Sequence, residues 1–304
     1  MNESNERLDP FPRPNTPQAR PAASAFSRRA LLHGVGLAAL APLLPLDAFA
    51  QSTAPEASSP PSQLPLKTTG LEHLGTVVPD VAAAGKFYGR LFNPELYKEK
   101  DPPLRYYVTL GVGYLALGSR PNQPHAFFDH FCALVENYDG PAMAEQLKRE
   151  GLPAGRYGII PDPDGIGLQL LGVPGGLAKT TEPAGRIVEG DALVQPEHLD
   201  HVVLRVSDLE KSLQFYRRFF ETETKSAGSS SPAGFQVAGT RLLLEKAAGG
   251  EPARIERIGI NVRPFDRRAV SRQLTQSGAQ VSTEANKSLR FTDPFGLVIE
   301  LHPV

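Results

Sequence analysis

Three observations predict an α+β protein made of two tandem domains that arose by duplication. Four segments open alike, with Leu-Glu-His at 71–73, Phe-Asp-His at 128–130, Leu-Asp-His at 199–201 and Ile-Glu-Arg at 255–257. Each opening starts an apolar, alternating run, then a turn, then a segment with helical spacing, which is how a half-buried strand followed by an amphipathic helix reads. The spacing is constant: 128 residues separate His73 from His201 and 127 separate His130 from Arg257, so a pair of strand-helix units was copied whole. Short strands with two helices per domain exclude a doubly wound parallel sheet.

The chain has 304 residues, 40% of them hydrophobic, and 32 basic against 33 acidic side chains. That length and balance suit two ordinary globular domains and exclude a disordered or nucleic-acid-binding protein. Cys132 is the one cysteine, so no internal disulfide framework exists.

Residues 1–26 are polar and Pro-rich. Ser-Arg-Arg-Ala-Leu-Leu follows at 27–32, then an apolar core to Leu46 and the small-x-small pattern Ala48-Phe49-Ala50. This predicts a twin-arginine signal peptide over 1–50, carried by Arg28 and Arg29 and cleaved near Ala50. Pro42, Pro45 and Asp47 interrupt a run already short of the ~20 residues a membrane span needs, so no integral membrane anchor is expected. The expected route is export to the periplasm through the twin-arginine machinery, which carries folded proteins and suits one that loads a cofactor first. Residues 51–69, rich in Ser, Pro and Ala, read as a flexible linker.

The first domain is read as 70–172. Asp80 stands at an N-cap position before a helix whose Val81, Ala84, Phe87, Tyr88 and Phe92 form an apolar stripe. Strands are predicted at 105–110 and 113–118, a second helix near 142–149, a turn at Asp162-Pro-Asp-Gly and a closing strand to Gly172. Residues 173–197 carry Gly and Pro without periodicity and read as the linker between domains. The second domain, 198–304, repeats the plan, with strands near 199–206, 233–238, 240–246, 255–262 and 297–302 and a closing turn at Asp293-Pro-Phe-Gly.

The stretches DHVVLRVSDLEKSLQFYRRFF (200–220) and DPFGLVIELHP (293–303) resemble the opening and closing signatures of the vicinal oxygen chelate superfamily, which includes glyoxalase I, bleomycin-resistance proteins and extradiol dioxygenases. The resemblance covers nearly all of 70–304. It implies a pair of βαβββ units per domain, curled into an open barrel around a metal and ligand cavity. In that family the metal ligands come from the first strand of each unit and from the closing strand. Carried onto this sequence, the resemblance implies His73, His130 and Gln169 in the first domain and His201, Arg257 and Glu300 in the second.

His-His-Gln departs from the two-histidine, one-carboxylate set typical of Fe(II) oxygenases. A neutral amide leaves a bound divalent ion its full charge, which lowers affinity and raises Lewis acidity. Cys132 lies two residues past His130 on the same strand face, as a small buried hydrophobe, a cavity wall or a soft-metal ligand. Tyr106, Tyr107 and Tyr114 lie on the strands that wall the cavity in this family. The second site reads as degenerate, because the guanidinium of Arg257 is always protonated and donates no lone pair; its charge replaces the metal's and pairs with Glu300. Glu245 matches a fourth-ligand position of glyoxalase-like members or is a solvated strand end, and His198 and His302 read as surface or strand-end residues.

The function implied is an exported enzyme using a divalent metal (Fe, Mn, Zn, Ni or Co) on a small substrate with two neighbouring oxygens, by dioxygenase, isomerase or lyase chemistry. Extradiol dioxygenases carry a tyrosine three residues before the Asp-Pro turn, where this chain has Ile159 and Arg290. The alternative is a non-catalytic small-molecule-binding protein of the bleomycin-resistance type.

Overall fold

The computed structural model describes residues 62–304 except 153, 156–157, 225–231, 264 and 283–287. The signal-peptide reading, with Arg28 and Arg29, lies outside the described residues. The first unit comprises β1 (Thr68–Val77), α1 (Val81–Leu91), β2 (Glu95–Glu99), β3 (Tyr106–Leu110) and β4 (Gly113–Gly118), and the second comprises β5 (Phe127–Val135), α2 (Gly140–Arg149), β6 (Ile160–Pro161) and β7 (Gly167–Gly172). After β8 (Thr181–Arg186), the third has β9 (Gln195–Val206), α3 (Leu209–Tyr216), β10 (Thr222–Thr224), β11 (Ala233–Val237) and β12 (Thr240–Lys246). The fourth has β13 (Arg254–Arg263), α4 (Arg267–Gln276), β14 (Gln280–Val281), β15 (Leu289–Thr292) and β16 (Val298–Pro303).

Three units are βαβββ. Among the described residues the second has only two strands after its helix, where the sequence from Gly151 to Gly158 carries three glycines and a proline.

All four helices start with the same device. Asp80, Asp139, Asp208 and Asp266 are extended N-caps whose carboxylates accept from the backbone N–H three residues on. The repeat therefore sets each helix start locally, and the apolar stripe then fixes which face is buried. In α1 that face is Val81, Ala84, Tyr88 and Leu91.

The strands form one open sheet in the order β10-β11-β12-β9-β13-β5-β1-β4-β3-β2-β8, with β6 and β7 attached to β5 and β14 to β16 attached to β13. Within each half the first strands of its two units pair antiparallel, β1 with β5 and β9 with β13. Each of these is flanked by a parallel neighbour, β4, β7, β12 or β16. The halves meet where Ile255 of β13 pairs with Phe128 of β5.

Parts of both stretches read as linkers carry structure. The expected tether 51–69 is already part of the fold from residue 62: Leu66 is buried, its N–H bonds to the Phe219 carbonyl at 2.8 Å, and β1 starts at Thr68. The expected linker 173–197 contains β8, an edge strand paired antiparallel with β2 and carrying Pro183 and Gly185. Proline is tolerated on an edge because its missing N–H faces outward.

Candidate metal centre

A β-bulge stands in each of the four opening triplets. Between β1 and β5 the pairing jumps from Leu71–Ala133 to Leu74–Phe131, and from Gly75–His130 to Thr76–Phe128. Between β9 and β13 it jumps from Ile255–Leu204 to Arg257–Val203, and from Gly259–His201 to Ile260–Leu199. The unpaired residues are thus Asp129, Asp200, Glu256 and one of Glu72 and His73. In a regular strand, neighbours point to opposite faces, whereas a bulge re-aims a side chain and places acid and histidine together.

The result is a repeated contact. Glu72 Oε2 lies 3.0 Å from His73 Nδ1, Asp129 Oδ2 3.0 Å from His130 Nδ1, and Asp200 Oδ2 2.7 Å from His201 Nδ1. A carboxylate only accepts, so each Nδ1 carries a proton and donates it to the acid behind the ring. This orientation by an acid behind the ring is the arrangement that metal-ligating histidines adopt.

In the first half the implied residues converge. His73 is fully buried and Gln169 is 2% exposed, with His73 Nε2 3.1 Å from Gln169 Oε1. The His73 and His130 rings meet edge to face with centroids 5.6 Å apart. Burial, the first cause, holds His130 below the usual histidine range despite the Asp129 contact, so it is a neutral imidazole; its buried Nε2 has no hydrogen-bond partner. Gly75 permits this placement, since a Cβ there would stand 2.1 Å from His130 Cε1. Gly259 does the same for His201, at 2.3 Å.

Tyr114 stacks on His73 at 4.5 Å, and its hydroxyl is buried without a partner. Burial, with the Glu72 charge, drives that hydroxyl far above the usual tyrosine range, so it stays a donor. Tyr107 packs edge-on against Tyr114 and donates to Glu99 at 2.5 Å. Tyr106 is not a cavity residue: strand alternation turns it away from Tyr107, and its ring lies against Gly85 of α1. Cys132 is buried beside Glu72, and burial with that charge pushes its thiol up, so it stands as a neutral thiol.

The segment after β7 closes over the site. Gly176 N–H donates to Glu72 Oε1 at 2.7 Å, and a Cβ on Gly175 would lie 2.1 Å from that oxygen. Leu177 packs against Tyr107, Tyr114 and Ala116.

In the second half Arg257 is an anchor, not a ligand. Its Nε is 2.9 Å from Glu300 Oε1 without being aimed at it, while its terminal nitrogens donate to Glu245 at 2.6 and 3.1 Å. Glu245 is therefore a site residue and not a solvated strand end. Arg290, which holds the position of the dioxygenase tyrosine, donates to Glu300 Oε1 at 2.7–2.8 Å. Burial raises the Glu300 carboxyl, but the His302 contact and the His201, Arg290 and Arg257 charges outweigh it and hold it at about 2. His302 also belongs to the site: its Nε2 is 3.5 Å from Glu300 Oε2 and its ring is 5.3 Å from that of His201. His198 accepts from Asn261 at 2.9 Å.

Glu72, Asp129, Asp200, Arg290 and His302 are the residues that sequence reasoning missed. The acids had a signal, namely the residue before His or Arg in every opening triplet.

Residues 198–301 match the family model of the Glyoxalase/Bleomycin resistance protein/Dioxygenase superfamily. The fold extends over both halves. The Mn(II)-bound glyoxalase from Novosphingobium aromaticivorans aligns with a TM-score of 0.55 at 15% identity, over 78% of this chain and 82% of that one. BphC, a halotolerant catechol dioxygenase, gives 0.57 at 15% over 78% and 87%. A mutant 4-hydroxymandelate synthase from Streptomyces coelicolor gives 0.56 at 12% over 78% and 92%. No curated protein matches the sequence.

Proposed function

We propose that the first half holds a divalent metal ion through His73, His130 and Gln169, and that the protein is a metal-dependent enzyme acting on a small substrate with two neighbouring oxygens. The carrying observation is electrostatic. His73 Nε2 lies 3.1 Å from Gln169 Oε1, and His130 Nε2 is buried and unpaired beside them. A buried imidazole nitrogen without a partner is unfavourable alone and favourable against a cation. The 3.1 Å separation of the His73 and Gln169 atoms suits ligands about 2.1 Å from a shared ion.

A bound ion there supplies Lewis acidity to the two chelated oxygens as charge develops on them. Around it the chain orients the imidazoles through Glu72 and Asp129, and the buried Tyr114 hydroxyl is placed to donate to a substrate oxygen. Tyr107, Ala116 and Leu177 exclude water from that face. Dioxygenase, isomerase and lyase chemistry all fit this arrangement.

The test is metal analysis of the tag-free mature protein after supply of Fe, Mn, Zn, Ni and Co. One equivalent bound in the first half and lost in His73→Ala/His130→Ala is expected. A first half without metal overturns the reading. The second reading, a non-catalytic small-molecule-binding protein of the bleomycin-resistance type, is favoured by the amide of Gln169 standing at a carboxylate position. It would show ligand uptake by the metal-free protein.

Export by the twin-arginine machinery to the periplasm, with cleavage near Ala50, is part of the same proposal. It rests on Arg28-Arg29, the apolar run that follows and Ala48-Phe49-Ala50. Replacing Arg28 and Arg29 with Lys keeps the charge and removes the pair; retention of uncleaved protein in the cytoplasm is expected. Unchanged export would reject it.

A further inference from the structure

We infer that residues 173–179 form a hinged strap that gates the first-half cavity, with the Glu72 carboxylate as its latch. What enters is named by the reading above, on which that part rests. The gate itself is a property of the strap and is tested without metal.

The groups under the strap are sealed. His73 and Tyr107 are fully buried and Tyr114 and Gln169 are 2% exposed, so no small molecule reaches them while the strap is closed. Two polar atoms of this cavity, His130 Nε2 and the Tyr114 hydroxyl, are buried without a partner. A buried polar group left unpaired is unfavourable, so both favour a guest that pairs with them, and a guest needs an entrance.

The strap is the weakest wall. On the other sides β1, β4, β5 and β7 are joined by continuous ladders. The strap is one chain thick, with Val173, Pro174 and Gly176 exposed on its outer side. Its ends are anchored: Val173 N–H donates to the Val135 carbonyl at 3.0 Å, and Lys100 donates through its N–H to Thr180 at 2.9 Å and through Nζ to Lys179 at 2.7 Å. Between the anchors, among the described residues, 174–177 make one hydrogen bond, from Gly176 N–H to Glu72 Oε1 at 2.7 Å, and Leu177 covers Tyr107, Tyr114 and Ala116. A segment with so few bonds and a solvated outer face opens locally at low cost, as active-site lids do.

The latch reaches the site. Glu72 Oε1 takes the strap amide while Oε2 lies 3.0 Å from His73 Nδ1, so closing the strap fixes the carboxylate that orients the ring. Gly176 stands at φ +126° with nothing within 4 Å of an added Cβ. An alanine there strains the closed backbone without a clash.

Cys132, the one cysteine of the chain, is fully buried beside Glu72 and reports opening. The experiment labels the full mature chain, tag-free and metal-free, with iodoacetamide, and follows hydrogen exchange of residues 174–180 and of β1 by mass spectrometry. Residues 174–180 are expected to exchange ahead of β1, and Cys132 to be labelled at a rate that low denaturant does not change. Gly176→Ala should speed labelling on the order of tenfold by straining the closed form, and Leu177→Ala should speed it too. Tyr88→Phe, which removes a buried bond between the halves, should leave the rate as it is. A labelling rate that Gly176→Ala leaves unchanged, or one that rises with Tyr88→Phe and steeply with denaturant, overturns the gate. Metal analysis separates the two readings: a gate in a protein without metal removes only the chemistry of the guest, and bound metal with Cys132 labelling indifferent to Gly176→Ala removes only the gate.

Discussion

The hydroxyl of Tyr88 donates to the carboxylate of Asp293 at 2.6 Å, across 205 residues and from one half of the protein to the other. The repeat answers in kind: Tyr216 of α3 donates to Asp162 at 3.0 Å. Each helix of a first-type unit is thus bonded to the Asp-Pro turn that closes the other half, with Phe87 against Phe291 and Phe295 on one side and Tyr216 against Phe131 on the other. These contacts tie the two halves to each other.

Tyr88→Phe keeps the ring and strands a buried carboxylate oxygen, so it should destabilise the protein by about 1–3 kcal/mol, as should Tyr216→Phe. Denaturant unfolding of each variant and of the pair checks this. A single transition that shifts in both variants is expected; separate transitions for the two halves would refute the coupling.

Asp293 and Asp162 carry a pH signature. Burial, the first cause for both, lifts them above the usual 3.8 in spite of the backbone and tyrosine donors. A folded value above the unfolded one means stability fully present below 3.8 and lost as pH rises through the folded value. The difference in unfolding free energy between wild type and Asp293→Asn should therefore fall as pH rises from 3.8. A flat or rising difference rejects the account.

Glu72→Gln leaves the proposed ligands His73, His130 and Gln169 in place and removes the acid behind His73. Metal affinity should drop about 10–100-fold, read by competition against a chromophoric chelator. Gln169→Glu should act the other way, raising affinity on the order of tenfold or more by adding a charge at the ion.

Gly75→Ala places a methyl group where the His130 ring lies, 2.1 Å from Cε1. The ring must leave its position, so first-half metal uptake should be lost as completely as in His130→Ala. Isotope-edited NMR of the histidine rings would show His130 displaced and His201 unmoved.

What the sequence made legible follows from repetition and periodicity. The four opening triplets and the two Asp-Pro turns are local signals present in more than one copy, and they led to the strand starts; His73, His130 and Gln169 came from the family resemblance carried onto those positions. The short strands β2, β8, β10 and β14 were not legible, because Glu-Leu-Tyr-Lys-Glu or Thr-Glu-Pro-Ala-Gly-Arg has neither alternation nor an apolar run. Tyr106 and Tyr107 could not be sorted until the register of β3 was fixed, since one position changes the face. Glu245 stayed open between a fourth-ligand position and a strand end, and His302 read as a strand-end residue, because their partners, Arg257 and Glu300, are distant in sequence or on the same strand with no periodic cue.

The glycine turn over Glu72 changes where the first half ends as a practical object. A fragment cut at Gly172 lacks the Gly176 amide that holds Glu72 Oε1, the Leu177 side chain that covers the tyrosines, and the β8 partner of β2. It would carry every proposed ligand and still present an uncapped carboxylate and a bare sheet edge to solvent. Anyone grafting or transplanting this half has to carry the chain from Ser62 through Arg186, because the stretch that joins the two copies is also the roof of the first.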